Sequence, residues 1–540
     1  MSTRISTGTA IVNGLLDHGI DTVFGIPGVQ TYPFFDALQQ ASSRIRLINP
    51  RHEQTCGYMA YGYARSTGKE GVFSVVPGPG VLNAGAALVT AYGASSPVLC
   101  VTGEVPSTFI GRGLGHLHEM PDQLATLGGI TKWATRVDHP AHAASSVFDA
   151  FRQLRSGRPR PVAVSVPWDV FAMTTPQLPG PVFHRPEPQA ADGEEIERAA
   201  KLLRSARNPM IMIGSGASDA GPEVLRLAEL LQAPVVGFRS GRGIVSDLHP
   251  LGFTCAEGYR RWHDTDVVIG IGSRMELMWF RWPPHARGVK VICIDVDPRQ
   301  AVRLQAAHGL IGDAGKTATL LADLLERDPV RPSRHEEFIR LKSTVANDIL
   351  KIQPQMDYLK AIRDVLPHDG FVTEESSQVG FTSIYGIPMY RPRTFVSSGH
   401  QGTLGYGFPT SLGVKVGNPD KCVVSITGDG GFMFGIQELT TAAEHRINLV
   451  TVLFNNQSYG NVLRDQQRMF EGRDISARLL TPDFAKLADG FGVSYFKAAN
   501  PAALRTALEQ AFQSDTPCLV EVPVEQGSET SPWEFLAPQP

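Results

Sequence analysis

Asp429 stands between Gly428 and Gly430-Gly431, and Asn455-Asn456 follows at the end of the next apolar run, Leu449 to Phe454. Val423-Val-Ser-Ile426 reads as a short buried strand running straight into the first of these groups. The spacing suits a strand, a helix and a parallel neighbouring strand. Asp429 and Asn456 are then expected side by side at the carboxyl ends of adjacent strands, where open α/β sheets bind ligands. One carboxylate, one amide oxygen and nearby backbone carbonyls suit a hard divalent cation, and such a cation suits a diphosphate. Gly-Asp-Gly alone is common and would equally serve an ordinary turn; the pairing of two strand ends is what points to a site.

A second polar group lies far upstream. Arg51-His52-Glu53 follows the strand-like Ile45–Ile48 and opens a helix through Ser66, closed by Gly68. Cys56, Gly57, Ala60, Gly62 and Ala64 make that helix small enough to pack closely against another. A glutamate in a first helical turn is otherwise an ordinary complement to the helix dipole.

The elements that must position these residues alternate strand and helix throughout. With 540 residues the chain exceeds one core, and about three domains of ~150–200 residues are expected. Strand-like runs at Thr22–Phe24, Arg46–Ile48, Gly71–Val76, Val98–Val101 and Pro161–Val166 form a first unit, residues 1–175. The proline-rich Pro176 to Gly193 reads as a linker. A second unit, 190–330, contains Met210–Ile213, Val235-Val236, Val267–Ile271 and Val291–Ile294. A charged helical connection between Leu324 and Pro354 leads to a third, 350–540, with Phe371-Val372, Phe395-Val396, Cys422–Ile426, Leu449–Phe454 and Cys518–Val522. The tail after Gln526 reads as irregular. The fold class is α/β, three mainly parallel sheets flanked by helices.

Composition narrows the function. A net charge of −3 offers no basic field for nucleic acid, and Arg152 to Arg160 reads as a solvated surface. No run approaches ~20 apolar residues, so neither a signal peptide nor a membrane span is expected. The six cysteines form no C-x-x-C pair and several lie in apolar strands. Inert core thiols in a reducing, cytoplasmic setting follow.

Four blocks carry a family resemblance: Val23-Phe-Gly-Ile-Pro-Gly28; Arg51-His-Glu-Gln54 with Gly62-Tyr-Ala-Arg65 and Thr67-Gly68; Ser398 to Pro409; and Gly428 to Asn456. On these blocks the chain resembles the thiamine-diphosphate-dependent family that includes acetolactate synthase, benzoylformate decarboxylase and benzaldehyde lyase. The resemblance implies that Asp429, Asn456 and the backbone carbonyl of Ser458 hold Mg2+ against the diphosphate. Pro27, Ser377, Gln378, Gly402, Gly428, Gly430, Gly431 and Tyr459 fall among the cofactor-binding positions. Leu404 takes the place of the apolar wedge that bends the cofactor. Glu53 is implied to bond the pyrimidine ring nitrogen and favour the imino tautomer that removes the C2 proton. It further implies a homodimer or homotetramer whose active sites join Glu53 of one chain to Asp429 of another. The implied reaction is cleavage of a 2-oxo acid with release or carboligation of the enamine that decarboxylation leaves.

The substrate positions depart from the familiar members. Val29 and Val76 or Pro77 stand where benzoylformate decarboxylase-like enzymes carry a serine and a histidine. Benzaldehyde lyase-like carboligases share the Asn455-Asn-Gln-Ser458 wording, which other members also tolerate. Acetolactate synthases are similar over Arg51 to Gly71 and Gly399 to Pro419, yet Met278 replaces their acceptor-binding arginine and Asp465 their bulky aromatic. Losing a guanidinium that grips a carboxylate weakens acceptor binding, since charge-assisted bonds are worth about 1.5–3 kcal/mol. Gly113-Leu-Gly-His-Leu-His118-Glu119 and Gly402-Thr-Leu-Gly405 are similar to decarboxylases of a guanidino-oxo acid. Asp465 and Glu276 lining the pocket, near Asn461, would suit such a cationic tail.

His116, His118 and His400 are the proton-carrier candidates, because histidine titrates nearest neutrality. His118 matches a pocket glutamine of acetolactate synthases and is preferred, with His400 after it. His52 reads as orienting its strand end, and His116 with His118 lacks the further ligands of a zinc site. The middle unit resembles the domain that binds FAD or a nucleotide coenzyme in relatives, through Gly214-Ser-Gly216, Gly272-Ser-Arg274 and Ile294 to Pro298. Relatives that bind nothing there keep the same words, because tight turns need glycine. A dehydrogenase lacks support, since no G-x-G-x-x-G follows a strand with a distal acidic partner. An inactive cofactor-binding regulator is the rival of a different class, opposed by intact Glu53, Asp429 and Asn456.

Overall fold

A computed structural model describes residues 4–177 and 180–539, so Leu178 and Pro179 of the expected linker lie outside the described residues. A short antiparallel pair, β1 (Arg4–Ser6) and β8 (Thr174–Pro176), ties the two ends of the first unit together. Three parallel sheets of six strands carry the rest. The first contains β2 (Thr22–Gly25), β3 (Arg46–Ile48), β4 (Gly71–Val75), β5 (Val98–Glu104), β6 (Trp133–Arg136) and β7 (Val162–Pro167). The second contains β9 (Pro209–Ile213), β10 (Val235–Gly237), β11 (Gly252–Phe253), β12 (Val267–Ile271), β13 (Lys290–Asp295) and β14 (His308–Ile311). The third contains β15 (Phe371–Glu374), β16 (Phe395–Val396), β17 (Val423–Gly428), β18 (Val450–Asn455), β19 (Ser494–Lys497) and β20 (Cys518–Pro523). Strands such as β4, β12 and β17 are buried at nearly every position because helices cover both faces of each sheet.

The outer sheets share one winding. Their orders are β3-β2-β4-β5-β7-β6 and β16-β15-β17-β18-β20-β19, the same path once each is renumbered from its own first strand. The middle sheet runs β11-β10-β9-β12-β13-β14, the doubly wound order of dinucleotide-binding sheets. In every sheet the strand order reverses beside its first strand, and the crevice at that point opens at the carboxyl edge. Gly25 to Gly28 with Val76 to Gly80 flank it in the first sheet, Gly214 with Gly272 in the second, and Glu375 to Gln378 with Gly428-Asp429 in the third.

The short outer strands β6, β11, β14 and β19 went unread in the sequence, because they are brief and, in β6 and β19, only half-buried and not apolar. The strand expected at Phe371-Val372 runs on to Glu374. The tail expected to be irregular closes in a short helix, Trp533–Leu536, that buries Phe535 and Leu536 against the core.

The helix Glu53–Thr67 packs on the helix Gly407–Gly417 of the third unit, so the small residues serve a partner within the same chain. A Cβ on Gly62 would lie 2.1 Å from the Thr410 carbonyl oxygen, and one on Gly413 only 2.0 Å from that of Met59. Asn418 Nδ2 donates to Ser66 Oγ at 2.9 Å, and the Arg51 N–H donates to the buried Glu438 at 3.0 Å. The middle unit is held by buried ion pairs: Arg158 to Asp295 at 2.7 Å and Arg242 to Asp247 at 2.6 Å, with Arg242 also donating to the Ile387 carbonyl. All six cysteines are free thiols, and burial raises the thiol pKa of each.

Candidate active site

Parallel pairing of β17 with β18 sets Gly428 opposite Phe454, so Asp429 and Asn456 leave neighbouring strand ends together. Asp429 is 1% exposed, and burial pushes its carboxyl up to about 6 against backbone N–H groups of Asn456, Gly430 and Gln457 that pull the other way. Its Oδ2 has no hydrogen-bond partner. Asn456 donates from Nδ2 to Glu529 Oε2 at 2.6 Å, which turns its amide oxygen to the N–H and hydroxyl of Ser458 at 3.1 and 3.0 Å. Glu529 is itself buried, and burial and Asp429 both raise its carboxyl. Two buried carboxylates and an oriented amide oxygen form an excess of negative charge that a hard cation would neutralise.

Opposite this pair, the Arg464 guanidinium donates to Gln378 Oε1 at 2.8 Å, leaving Gln378 Nε2 buried without a partner. Ser377 is spent differently: its hydroxyl accepts the Gly380 N–H at 3.0 Å and caps the helix Gln378–Gly386. The glycines are required by close approach. A Cβ on Gly430 would sit 2.7 Å from the Tyr459 ring, and one on Gly431 2.8 Å from Glu375. Glu375 braces this turn from within; burial pushes its carboxyl to about 8, although the Gly407 and Ser376 N–H groups each donate to it at 2.9 Å. These orphaned polar atoms and the glycine cradle fit a magnesium diphosphate group, which Asp429, Asn456 and Ser458 would meet from the metal side. Leu404, half-buried, and Gly402, with φ 56°, stand on the adjoining loop.

Glu53 begins its helix half-buried, and its Oε2 accepts from Asn83 Nδ2 at 3.0 Å. His52 caps the helix through Nδ1, which accepts the Gln54 N–H at 3.2 Å. Pro27 is exposed and Val29 half-buried on the same carboxyl edge. His118, with φ 66°, bonds the buried Gln30, and its backbone carbonyl closes over Gly78. Among the described residues no hydrogen bond links Glu53 or Asn83 to Asp429, Asn456 or Glu529.

The pocket positions separate into two sets. Trp533 Nε1 donates to Asn461 Oδ1 at 2.7 Å, and Asn461 Nδ2 donates to Asp465 Oδ2 at 3.1 Å, so these three form one chain of contacts. Met278 packs half-buried on the core, and Glu276 is neutralised by Arg281 at 2.9 Å and Arg239 at 3.2 Å. Glu276, named with Asp465 as a partner for a cationic tail if both line the pocket, is held instead by two guanidiniums. Arg281 in turn lies 5.8 Å from the Trp533 ring. His400 keeps an exposed face beside Gly93, and partial desolvation of its ring together with the charges of Arg274 and Arg239 lowers its pKa. It borders a cavity of about 620 Å³ between the three units, lined among others by Gly214, Gly216, Gly272, Arg274, Asp295 and Arg158. Sequence reasoning missed Gln30, Glu375, Arg464, Glu529 and Trp533. Only the lone tryptophan of an apolar cluster in the tail offered a signal.

Models of the thiamine pyrophosphate enzymes match all three units: the N-terminal TPP binding domain over residues 5–126, the central domain over 196–321 and the C-terminal TPP binding domain over 377–522. A probable 2-ketoarginine decarboxylase of Pseudomonas aeruginosa is 33% identical over 528 residues, covering 96% of this chain and 94% of its own length. A probable acetolactate synthase large subunit of Methanococcus aeolicus is 32% identical, covering 97% and 92%. The acetolactate synthase isozyme 1 large subunit of Escherichia coli is 30% identical, covering 98% and 96%. With a binding cradle at one sheet edge, Glu53 at another and likeness running nearly end to end, the chain belongs to the thiamine pyrophosphate enzyme family.

Proposed function

We propose that the protein is a Mg2+-dependent decarboxylase of a 2-oxo acid with a cationic, guanidino- or amino-bearing tail, releasing the aldehyde. The observation that carries the substrate class is Asp465. Its nearest cation is the exposed Arg468 at 3.7 Å, with Arg468 75% and Asp465 38% exposed, a pair worth at most about 1 kcal/mol. Asp465 is thus free to receive a charged tail, while Asn461 and Trp533 keep its helix in place. The likeness to a probable 2-ketoarginine decarboxylase agrees with this chemistry.

When bound, thiamine diphosphate supplies a nucleophilic thiazolium carbon and an electron sink for the bond that decarboxylation breaks. Asp429, Asn456 Oδ1 and the Ser458 carbonyl would hold Mg2+. The N–H groups of Gly430 and Gly431 and the free Nε2 of Gln378 would donate to the diphosphate. Glu53 would hold the proton at the pyrimidine nitrogen. On the resemblance to thiamine-diphosphate-dependent enzymes, in which the first unit of one subunit faces the third unit of another, we assign the two halves of each site to different subunits of a homodimer or homotetramer. His118 stands on the Glu53 side and is the nearer of the two candidate histidines to that half. His400, beside Gly93, faces the interunit cavity instead.

Carboligation onto a second 2-oxo acid is the weaker reading. Met278 offers no cation for an acceptor carboxylate, and Arg281 is engaged with Glu276. The cavity at the switch point of the middle sheet suits a nucleotide, and FAD is the occupant to test by flavin absorbance of the purified protein. Its glycines have a structural use as well, since a Cβ on Gly216 would lie 2.7 Å from Gly272.

A panel of 2-oxo acids tests the assignment, comparing pyruvate with guanidino- and amino-substituted acids, with and without aldehyde acceptors. If closure over the bound substrate excludes water from Asp465, a charge-assisted pair there predicts that kcat/KM favours the cationic acids by about 10- to 100-fold. Asp465→Asn should remove most of that preference. Indifference to tail charge would sink the proposal.

A further inference from the structure

Gln30 is fully buried in the turn Val29–Thr31, close against Gly103 of β5, where a Cβ would lie 2.8 Å from its own. A buried amide must satisfy both of its ends. Its Nε2 donates to the Leu117 carbonyl at 2.9 Å, and that single contact settles its orientation, because the opposite one would set two oxygens against each other. Gln30 Oε1 therefore faces His118 Nδ1, 3.0 Å away. An amide oxygen only accepts, so Nδ1 carries a proton, and in the neutral ring Nε2 then keeps its lone pair.

The loop that bears His118 is braced for this purpose. Glu119 accepts the N–H groups of Gly113, Gly115 and His116 at 2.9, 2.7 and 2.9 Å. Gly78 lies directly beneath the His118 carbonyl, and a Cβ there would be 2.6 Å from that oxygen. Gly80, two residues on, lies against Glu53, 3.7 Å from its Cγ by the same measure. Among the described residues His118 Nε2 has no hydrogen-bond partner, and the ring is half-buried on the Glu53 side of the site.

We infer that Gln30 is a positioning residue that locks His118 in the Nδ1–H tautomer and so presents Nε2 as an acceptor for an N–H or O–H donor of the substrate. The inference rests on the reading of this edge as the pyrimidine half of the cofactor site. It adds a specificity element that selects against substrates offering only acceptors there.

Solid-state 15N spectra of histidine-labelled protein read the tautomer directly, with the His118 signals assigned by their loss in His118→Asn. Wild type should show a protonated Nδ1 and an unprotonated Nε2. Gln30→Leu, of similar volume, should release the ring to a mixture. Gln30→Glu, read at a pH where its buried carboxyl is protonated, donates to the Leu117 carbonyl and accepts from Nδ1–H, and should restore the tautomer. In turnover of the preferred cationic 2-oxo acid, Gln30→Leu should raise KM about tenfold, the worth of one hydrogen bond, with little change in kcat. Gln30→Glu should recover most of that loss. Exchange of the cofactor C2 proton should keep its wild-type rate in both variants. A wild-type His118 protonated at Nε2, or equal losses in Gln30→Leu and Gln30→Glu, would overturn the inference. Failure of the cofactor reading would show separately, as absent C2 exchange in wild type, while the spectra still decide the tautomer.

Discussion

At the scale of single residues, the candidate metal site is defined by what its atoms lack. Asp429 Oδ2 and Gln378 Nε2 are buried and unpartnered, and Glu529 adds a second carboxylate behind Asn456. Burial raises the Asp429 carboxyl from 3.8 to about 6, so the folded state holds this proton more tightly than the unfolded chain. The stability it contributes is complete below about pH 4 and is lost as pH rises through about 6. In metal-free protein above that range the buried anion costs on the order of 2–3 kcal/mol. Asp429→Asn should then raise the thermal midpoint of the metal-free protein at pH 7.5, with a smaller gain at pH 5. The same change should weaken Mg2+-dependent thiamine diphosphate binding by about 100-fold or more, the effect of losing a charged ligand. Scanning calorimetry and a cofactor titration check the two halves; a destabilised variant at pH 7.5 would contradict the account.

At the scale of elements, the helices Glu53–Thr67 and Gly407–Gly417 set the distance between the outer sheets. Gly62 and Gly413 face backbone carbonyls and not flexible side chains, so neither neighbour can step aside cheaply. Glu53 stands at the first turn of one helix, and the other begins just after the Leu404 loop. A methyl group at Gly413 should therefore cost about 1–3 kcal/mol by overpacking. It should also displace Glu53 enough to slow C2 proton exchange. Gly490→Ala, at a position where a Cβ meets nothing within 4 Å, is the matched control and should leave exchange unchanged. Equal effects of the two substitutions in thermal melts and exchange would remove the helix pair from the argument.

At the scale of the molecule, one winding used twice yields two different candidate half-sites, the Asp429–Asn456 turn and the Glu53 turn. The proposal that the two halves meet across subunits leads to a mixing experiment. Glu53→Gln and Asp429→Asn oligomers should each be nearly inactive. Subunits exchanged between them should recover on the order of one quarter of wild-type turnover, because half of random dimers are mixed and each carries one intact site of two. Mixtures no more active than their parents would place both halves of the site in a single chain.

The sequence by itself determined the strand ends that carry Asp429, Asn456 and Glu53. Short-range pattern suffices there: an apolar run, a glycine turn and a polar residue read as one unit because they are contiguous. The long fully buried strands were legible for the same reason, whereas β6, β11, β14 and β19 lie at or beside sheet edges and carry too little pattern. Only the tertiary structure decided what completes the site. Glu529 and Trp533 reach Asn456 and Asn461 from a tail more than 70 residues on, and Gln30 meets His118 across 88 positions. Glu276, on paper a candidate partner for a cationic tail, is neutralised by Arg239 and Arg281, a matter of side-chain approach that spacing does not encode. Hydrogen-bond satisfaction and charge pairing belong to three-dimensional neighbours, and those are what turn a recognisable cofactor fold into a particular substrate pocket.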